Sequence, residues 1–448
     1  MFVTGRFPLL VALGVVPVVL LGTAGVPPWA VVAAWVALCA VIGGTDAALA
    51  ASPADLEVSR SLPARARRDQ PVRTEVIVRN GGRRHLRGRL RDAWQPTAGA
   101  PEARAPLDVP GGESRRVPVP LHPRRRGELA SEFVVVRALG PLRVAGRQRT
   151  IPSRGVLRVL PPFTSRRHLP SRLARLRELD GSTSVQIRGR GTEFDSLREY
   201  VRGDDVRSID WRATARAGTT MLRTWRPERD RHIVIVVDTG RTSATRVGDG
   251  VRLDAAMEAT LLLGALAARA GDHVHLVMMD RAVRARVSGV DGAALVPALV
   301  DAMATVEPQL IDTDWASVAS LVRRLAVRPA VVVLLTAQDA PAASRAFLAA
   351  LPTWTERSRV LVGTATDLGA DAAATGRDGA VVPDTASGAA RDADDAYLRA
   401  AVLSTRREAD RVTAAITRAG AVAVSADADS LPPQIADHYL ALKLRGLL

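Results

Sequence analysis

Glu193, Asp204, Asp205 and Asp210 fall close together in the stretch GTEFDSLREYVRGDDVRSIDWR, residues 191–212, among Arg198, Arg207 and the aromatic residues Phe194, Tyr200 and Trp211. Carboxylates so grouped could serve as a general acid and base. The stretch holds neither His nor Cys, so it lacks the usual partners of a nucleophile–base pair. Two other roles suit the same residues. Arg198, Arg207 and Arg216 can pair with the acids while Tyr200 and Trp211 pack on arginine stems and guanidinium planes, which would fix the geometry between neighbouring domains. Alternatively the acids face a partner, with Gly203 supplying the tight turn that presents Asp204 and Asp205. Structural pairing is the leading expectation, docking its rival, and catalysis ranks third.

The elements around the stretch must position it. From His232 onward, HIVIVVD, DHVHLVMMD, AVVVLLTA and RVLVGTATD read as apolar strands, and RLDAAMEATLLLGALAARAG, DGAALVPALVDAMATV and WASVASLVRRLA as helices. This alternation predicts an α/β domain over residues 231–448, with a mainly parallel sheet flanked by helices. His273 and His275 lie two apart on one strand and share a face; with no third ligand in view they read as packing. Residues 51–160 carry short alternating runs, among them RTEVIVRN before the turn signal NGG, between Pro and Gly turns. They predict an all-β, sandwich-like domain of about seven strands. Residues 161–230 comprise a linker and the charged stretch.

At the front, FPLLVALGVVPVVLLGTAGV carries no charge and is long enough to cross a bilayer. A second run, WAVVAAWVALCAVIGG, follows Pro27 and Pro28, and can be prolonged only by carrying Asp46. Residues 1–50 thus predict a transmembrane helical hairpin turning at Pro27 and Pro28, with a secretory signal peptide as the alternative. Arg60, Arg65, Arg67 and Arg68 follow, and basic flanks stay cytoplasmic. The expected place is the cell membrane, with two transmembrane helices and cytoplasmic soluble domains.

The net charge of +16 is unevenly spread: residues 51–230 hold 38 Arg against 20 acids, whereas residues 231–448 hold 22 Arg and one Lys against 25 acids. Because the basic region directly follows the membrane segment, anionic lipid is a candidate partner. No stacking platform of interleaved aromatics accompanies the charge, so nucleic acid is not expected. The single lysine, Lys443, lies in ALKLRG and makes no Walker A motif. One cysteine, Cys39, leaves no intrachain disulfide.

The stretch GTEFDSLREYVRGDDVRSIDWRATAR, with RRRGE at 124–128 and ALGPLRV at 138–144, resembles the bacterial membrane proteins of the domain of unknown function 58 family. The resemblance implies partnership with a MoxR-type AAA+ ATPase. It marks Glu193, Phe194, Arg198, Glu199, Tyr200, Gly203, Asp204, Asp205, Arg207, Asp210, Trp211 and Arg216 as signature or interaction residues. The element order from His232 resembles a von Willebrand factor type A domain, in which an Asp-x-Ser-x-Ser loop plus a distant Thr and Asp hold a divalent metal. Here DTGRTS keeps Asp238, has Gly240 for the first serine and offers Thr242 for the second. Thr313, beside Asp312 and Asp314, stands for the distant Thr; Ala337 replaces the last Asp, and Asp339 lies two residues on. This implies a degenerate metal-adhesion site of Asp238, Thr242 and Thr313 for Mg²⁺, whose open position would take a partner's acidic group.

The sequence therefore predicts a multidomain, membrane-anchored, non-enzymatic interaction scaffold or adaptor. An enzyme using the acidic cluster at 193–211, and a binder of nucleic acid or anionic lipid, are the alternatives.

Overall fold

The computed structural model describes residues 1–448 except 102–103, 184–192, 203, 227–230, 249 and 368–387, and leaves out the side chains of 179–183, 193–196, 224–226, 388–396 and 398–399. The chain divides into two compact units, Met1–Pro162 and Phe163–Leu448. Most of the acidic, Gly/Ala-rich stretch after Asp367 lies outside the described residues.

In the first unit a short strand, β1 (Phe2–Val3), leads into helices α1 (Arg6–Ala12), α2 (Val15–Thr23) and α3 (Pro28–Leu49). The segments Arg6–Thr23 and Pro28–Asp55 are each long and apolar enough to cross a membrane. The first is interrupted at Leu13 and Gly14, where Trp35 of α3 packs so closely that a Cβ on Gly14 would stand 2.3 Å from its ring. The Trp35 indole donates to the Leu10 carbonyl at 3.2 Å. Pro28 opens α3, where its missing N–H is one the helix would not use.

Helix α3 runs on past the apolar stretch and carries Asp46 into the unit, where it is 1% exposed. Its carboxylate accepts the backbone N–H of Leu142 at 2.7 Å and those of Val144 and Ala145 at 2.8 Å each. Gly140 lies against this carboxylate; a Cβ there would stand 2.2 Å from Oδ1. Arg147 and Arg84 donate to the Ala47 and Ala48 carbonyls at 2.9 Å each, placing cations at the helix C-terminus.

The sandwich follows as β2 (Leu56–Ser61), β3 (Arg65–Arg67), β4 (Val72–Asn80), β5 (Leu86–Trp94), β6 (Ala105–Val109), β7 (Ser114–Leu121), β8 (Gly127–Leu139) and β9 (Ala145–Leu160). One sheet has the order β2-β4-β7; the other has β1-β9-β8-β5-β6, with β3 beside β9. Alternation along the strands points Val76, Val78, Val117 and Val119 of the first sheet into one core with Leu90, Val134, Val136 and Leu157 of the second. A charged pair is buried in this unit. Arg60 grips Asp92 through both terminal nitrogens at 2.6 and 2.7 Å, and Trp94 Nε1 and Ser131 Oγ donate to the same carboxylate at 2.7 Å.

The second unit opens with α4 (Leu169–Thr183), β10 (Glu193–Glu199), α5 (Trp211–Ala217) and β11 (Met221–Arg226). Then come β12 (His232–Asp238), the small pair β13 (Arg246–Val247) and β14 (Gly250–Val251), α6 (Arg252–Arg269), β15 (His273–Met279), β16 (Val283–Val287), α7 (Leu295–Met303) and α8 (Trp315–Leu325). β17 (Val331–Leu335), α9 (Arg345–Ala350), α10 (Pro352–Thr355), β18 (Arg359–Ala365), α11 (Gly388–Arg418), β19 (Val422–Ala426) and α12 (Leu431–Leu444) complete it. The sheet order is β16-β15-β12-β17-β18-β19, parallel except for β16. Its central strands are buried along their length, as continuous apolar runs require. From β12 the chain builds outward to β15 and β16, then returns to place β17 on the other side of β12. The topological switch point, where open α/β sheets offer a crevice, thus lies between β12 and β17.

Two buried ion and hydrogen-bond clusters fasten the rim of this unit. Glu258 on α6 accepts the N–H of Thr164 at 2.9 Å and of Ser165 at 3.0 Å, and both their hydroxyls. Lys443 on α12 lies against Asp272 at 3.2 Å and the Ala270 carbonyl at 3.3 Å with its side chain 8% exposed, a structural place for the only lysine.

Candidate functional site

The signature stretch folds as a hairpin. β10 and β11 pair antiparallel from Glu199↔Met221 to Glu193↔Arg226, with α5 in the connection. Asp204 binds Arg198 at 2.7 Å and accepts the Val201 N–H at 3.0 Å. Asp205 accepts the N–H of Arg207 at 3.0 Å. Asp210 caps α5, its Oδ1 accepting the N–H groups of Arg212 and Ala213 at 3.0 Å each, while Oδ2 takes Arg223 Nε at 2.7 Å. The Ala213 N–H, then the Arg223 guanidinium, hold the Asp210 carboxyl below the usual carboxylate range. Glu199 receives a long bond from Thr219 Oγ1 at 3.5 Å, and the Tyr200 N–H donates to the Thr220 carbonyl at 2.8 Å.

Two expectations need correcting. Asp210 is held by Arg223, and among the described residues Arg207 and Arg216 form no ion pair with the acids. The reason is hairpin register: β11 brings Arg223 back beside Asp210 although they lie 13 residues apart. Nor does Trp211 pack on an arginine stem; at the first position of α5 it is 70% exposed. Val201 and Val206 are also exposed, so the hairpin partly buries Asp204 and Asp210, leaves Asp205 and Glu199 at the surface, and displays apolar side chains. Gly203 and the side chains of Glu193 and Phe194 lie outside the described residues.

A second constellation sits at the switch point. Asp238 ends β12 and is 4% exposed. Its Oδ1 accepts the Gly240 N–H at 2.8 Å and the Thr313 hydroxyl at 2.5 Å; Oδ2 accepts the Thr336 hydroxyl at 2.6 Å and that of Thr242 at 3.4 Å. The structure therefore brings Asp238, Thr242 and Thr313 together and adds Thr336, which sequence reasoning missed. Its only signal was a hydroxyl at the end of a buried strand. Asp339 is turned to an ion pair with Arg252, and Asp312 binds Arg241 at 2.7 Å. Gly240 is spatially required here, since a Cβ would stand 2.5 Å from Thr313 Oγ1. Beside the cluster opens a cleft of about 480 Å³ lined by Arg241, Thr242, Thr313, Gln338 and Arg345.

This donor set does not fit Mg²⁺. The ion demands a near-octahedral set of oxygens. The cluster's single carboxylate is 4% exposed, and both its oxygens are already taken, by the Gly240 N–H and by the hydroxyls of Thr313, Thr336 and Thr242. Titration calorimetry of the purified protein with Mg²⁺ is expected to show no saturable heat; a stoichiometric isotherm would contradict the geometry. Asp238→Ala should lower stability by about 3 kcal/mol, because buried hydroxyls and an N–H lose their acceptor together. Thermal unfolding measures it, and an unchanged midpoint would contradict it.

The histidines form a third group. His232 joins the two foreseen, its Nδ1 lying 2.9 Å from His275 Nε2, while His273 Nδ1 meets Asp291 at 2.9 Å. Burial first, then the neighbouring His232 and His273, pull His275 below its ordinary value, favouring the neutral form. Among the described residues no group of three or more His, Cys, Asp or Glu side chains is placed to hold a metal ion.

Two apolar helical segments, a sheet-rich unit and a separate α/β unit define a multidomain protein with a candidate membrane anchor. The family model described as "Protein of unknown function DUF58" matches residues 196–368, from within β10 to just beyond β18, and supports that family. No curated protein matches. Solved structures with partial likeness include the CARDB domain of a Pyrococcus furiosus protein in complex with di-metal ions, 15% identical, covering 23% of this chain and 87% of that chain at a TM-score of 0.19. Another is the human seminal-plasma complex of zinc 2-glycoprotein and prolactin-inducible protein, 12% identical over 23% of this chain and 92% of that one, TM-score 0.19. A FixG-related protein from Vibrio parahaemolyticus is 10% identical over 23% and 96%, TM-score 0.18. At such scores none of these carries an argument about this chain.

Proposed function

We propose that the chain is a non-enzymatic scaffold or adaptor anchored in the cell membrane by its N-terminal hairpin, with its soluble units cytoplasmic. It engages a MoxR-type AAA+ ATPase, or that ATPase's client, through the hairpin of β10 and β11. The observation that carries this reading is the contrast between the partnered acids of the signature and its unpartnered apolar side chains. Asp204, Asp205 and Asp210 are occupied by backbone N–H groups and arginines, whereas Trp211, Val201 and Val206 stand exposed. An exposed tryptophan rimmed by charge is the composition of an interface anchor. The order of the parallel sheet, with its cleft at the switch point, supports a von Willebrand factor type A-like reading of the second unit. The resemblance supplies the ATPase.

Affinity purification of the full chain from native membranes, with nucleotide present, tests this. The unsubstituted chain should retain an AAA+ ATPase, and Trp211→Ala should retain at least about tenfold less, the loss typical of an interface anchor. Its melting should not change, because the side chain is exposed. A partner held equally by Trp211→Ala would count against the reading. So would a hydrolytic activity abolished by Asp204→Asn in a folded protein, which would favour the enzyme alternative.

A further inference from the structure

Arg6, Arg89, Arg104, Arg137 and Arg143 line one pocket of about 420 Å³ in the first unit, and Phe2 and Leu139 supply apolar wall. They come from the start of α1, from β5, from the residue before β6, from β8 and from the β8–β9 turn. The fold therefore gathers these charges from separate parts of the chain, residues 6, 89–104 and 137–143. Among the described residues no acidic side chain lines the pocket.

Like charges are crowded at the inner part of this pocket. Arg89 and Arg137 are directly opposed across β5 and β8, an arrangement that destabilises a strand pair when the charges are alike. Arg104 Nε is buried without a hydrogen-bond partner. The Arg137 guanidinium lies 5.0 Å from the Phe2 ring centroid, and its Nε donates to Gln148 at 2.6 Å, so it is held in place without an acid. Burial, then the charge of Arg104, pull Arg137 below the ordinary arginine range. Arginine does not shed its proton in a protein, so the pocket keeps its positive charge for an anion to meet.

Position narrows the anion. Arg6 is the first residue of the first apolar helix, and the Thr4 hydroxyl ties the preceding residues to the Arg143 carbonyl at 2.7 Å. The pocket thus borders the point where the apolar segment begins. Leu9 and Leu13, on the apolar segment that leaves it, are exposed. Guanidinium forks match phosphate oxygens in paired, charge-assisted hydrogen bonds.

We propose that this pocket binds a phosphate group, carried by the headgroup of an anionic phospholipid whose chains lie along the exposed face of the first apolar segment. The lipid source rests on the reading that the hairpin spans the membrane. The full chain in non-ionic detergent, examined by native mass spectrometry with phosphatidylglycerol, phosphatidylcholine or inorganic phosphate, tests it. Phosphatidylglycerol should be retained at least tenfold over phosphatidylcholine, and Arg104→Gln and Arg137→Gln should each remove that preference. In lipid-free detergent both variants should melt no lower than the parent, since each relieves like-charge crowding; this separates loss of binding from loss of fold. Inorganic phosphate binding that depends on the same arginines, without lipid preference, would keep the phosphate chemistry and reject the lipid source. Binding of neither probe, or lipid preference unchanged in both variants, would overturn the proposal. Alkaline carbonate extraction reports membrane spanning separately. A chain released by it refutes the spanning reading and the lipid source together, and the inorganic phosphate measurement then decides the pocket.

Discussion

Arg60→Ala is expected to destabilise the first unit by about 3–5 kcal/mol, the usual cost of stranding one member of a buried ion pair. The Arg60 and Asp92 side chains are 5% and 2% exposed, so water cannot take the place of the missing guanidinium. The loss should exceed that of a single hydrogen bond, because Arg60 also donates to the Ser153 carbonyl at 2.7 Å and to Ser131 Oγ at 2.8 Å. Thermal unfolding in detergent, followed by tryptophan fluorescence, reads it through Trp94, whose indole shares Asp92. Replacing both partners, Arg60→Met with Asp92→Leu, should recover part of the loss, since no charge is then left buried. Full recovery is not expected, because Trp94 and Ser131 would still lack their acceptor. A cost below about 1 kcal/mol for Arg60→Ala would show a solvent-screened pair instead.

Asp46→Ala is expected to cost about 3–5 kcal/mol, from three backbone N–H groups, part-buried at Leu142 and Val144 and buried at Ala145, left without an acceptor at about 1–3 kcal/mol each, reduced by partial relaxation. The effect should be local before it is global. Residues 140–146 lose the carboxylate that orders them, so limited proteolysis should cut this turn in the variant and spare it in the parent. Asp46→Asn should fall between the two, since an amide keeps one acceptor oxygen where the carboxylate uses both. Equal protease resistance of Asp46→Ala and the parent would contradict the role assigned here.

Much of the architecture was legible from period and punctuation. RTEVIVRN alternates and ends at NGG, and it forms β4, ending at Asn80. HIVIVVD is apolar throughout and forms the central strand β12. What the sequence could not reveal depends on contacts between distant residues. Pro17, whose ring and missing N–H disturb the Leu13 carbonyl four residues back, does announce the break in the first apolar run, but the seat of Trp35, on another helix, against Gly14 has no such signal. Asp46 looked like the charge that limited the second helix, yet the turn some 96 residues away makes it the helix's fastening. At the signature, the acids were visible and their partners were not, because Arg223 reaches Asp210 only through hairpin register. At the switch point, attention to the missing carboxylate at Ala337 hid the hydroxyl of Thr336 one residue earlier.

The way the helical hairpin meets the sandwich has a mechanical consequence. Its incoming end is stitched to β9 through β1, at Phe2↔Gly146 and Val3↔Ala145, and its outgoing end is bolted through Asp46 to residues 142–145 of the same turn. A flexible tether would let the sandwich swivel and would absorb any tug as slack. Two anchor points on one turn remove both freedoms. A pull or torque on β8 or β9 passes to both arms of the hairpin at once, as through a bracket fixed by two screws. The first unit is thus built as a rigid mount, able to bear a load that a leash would not transmit.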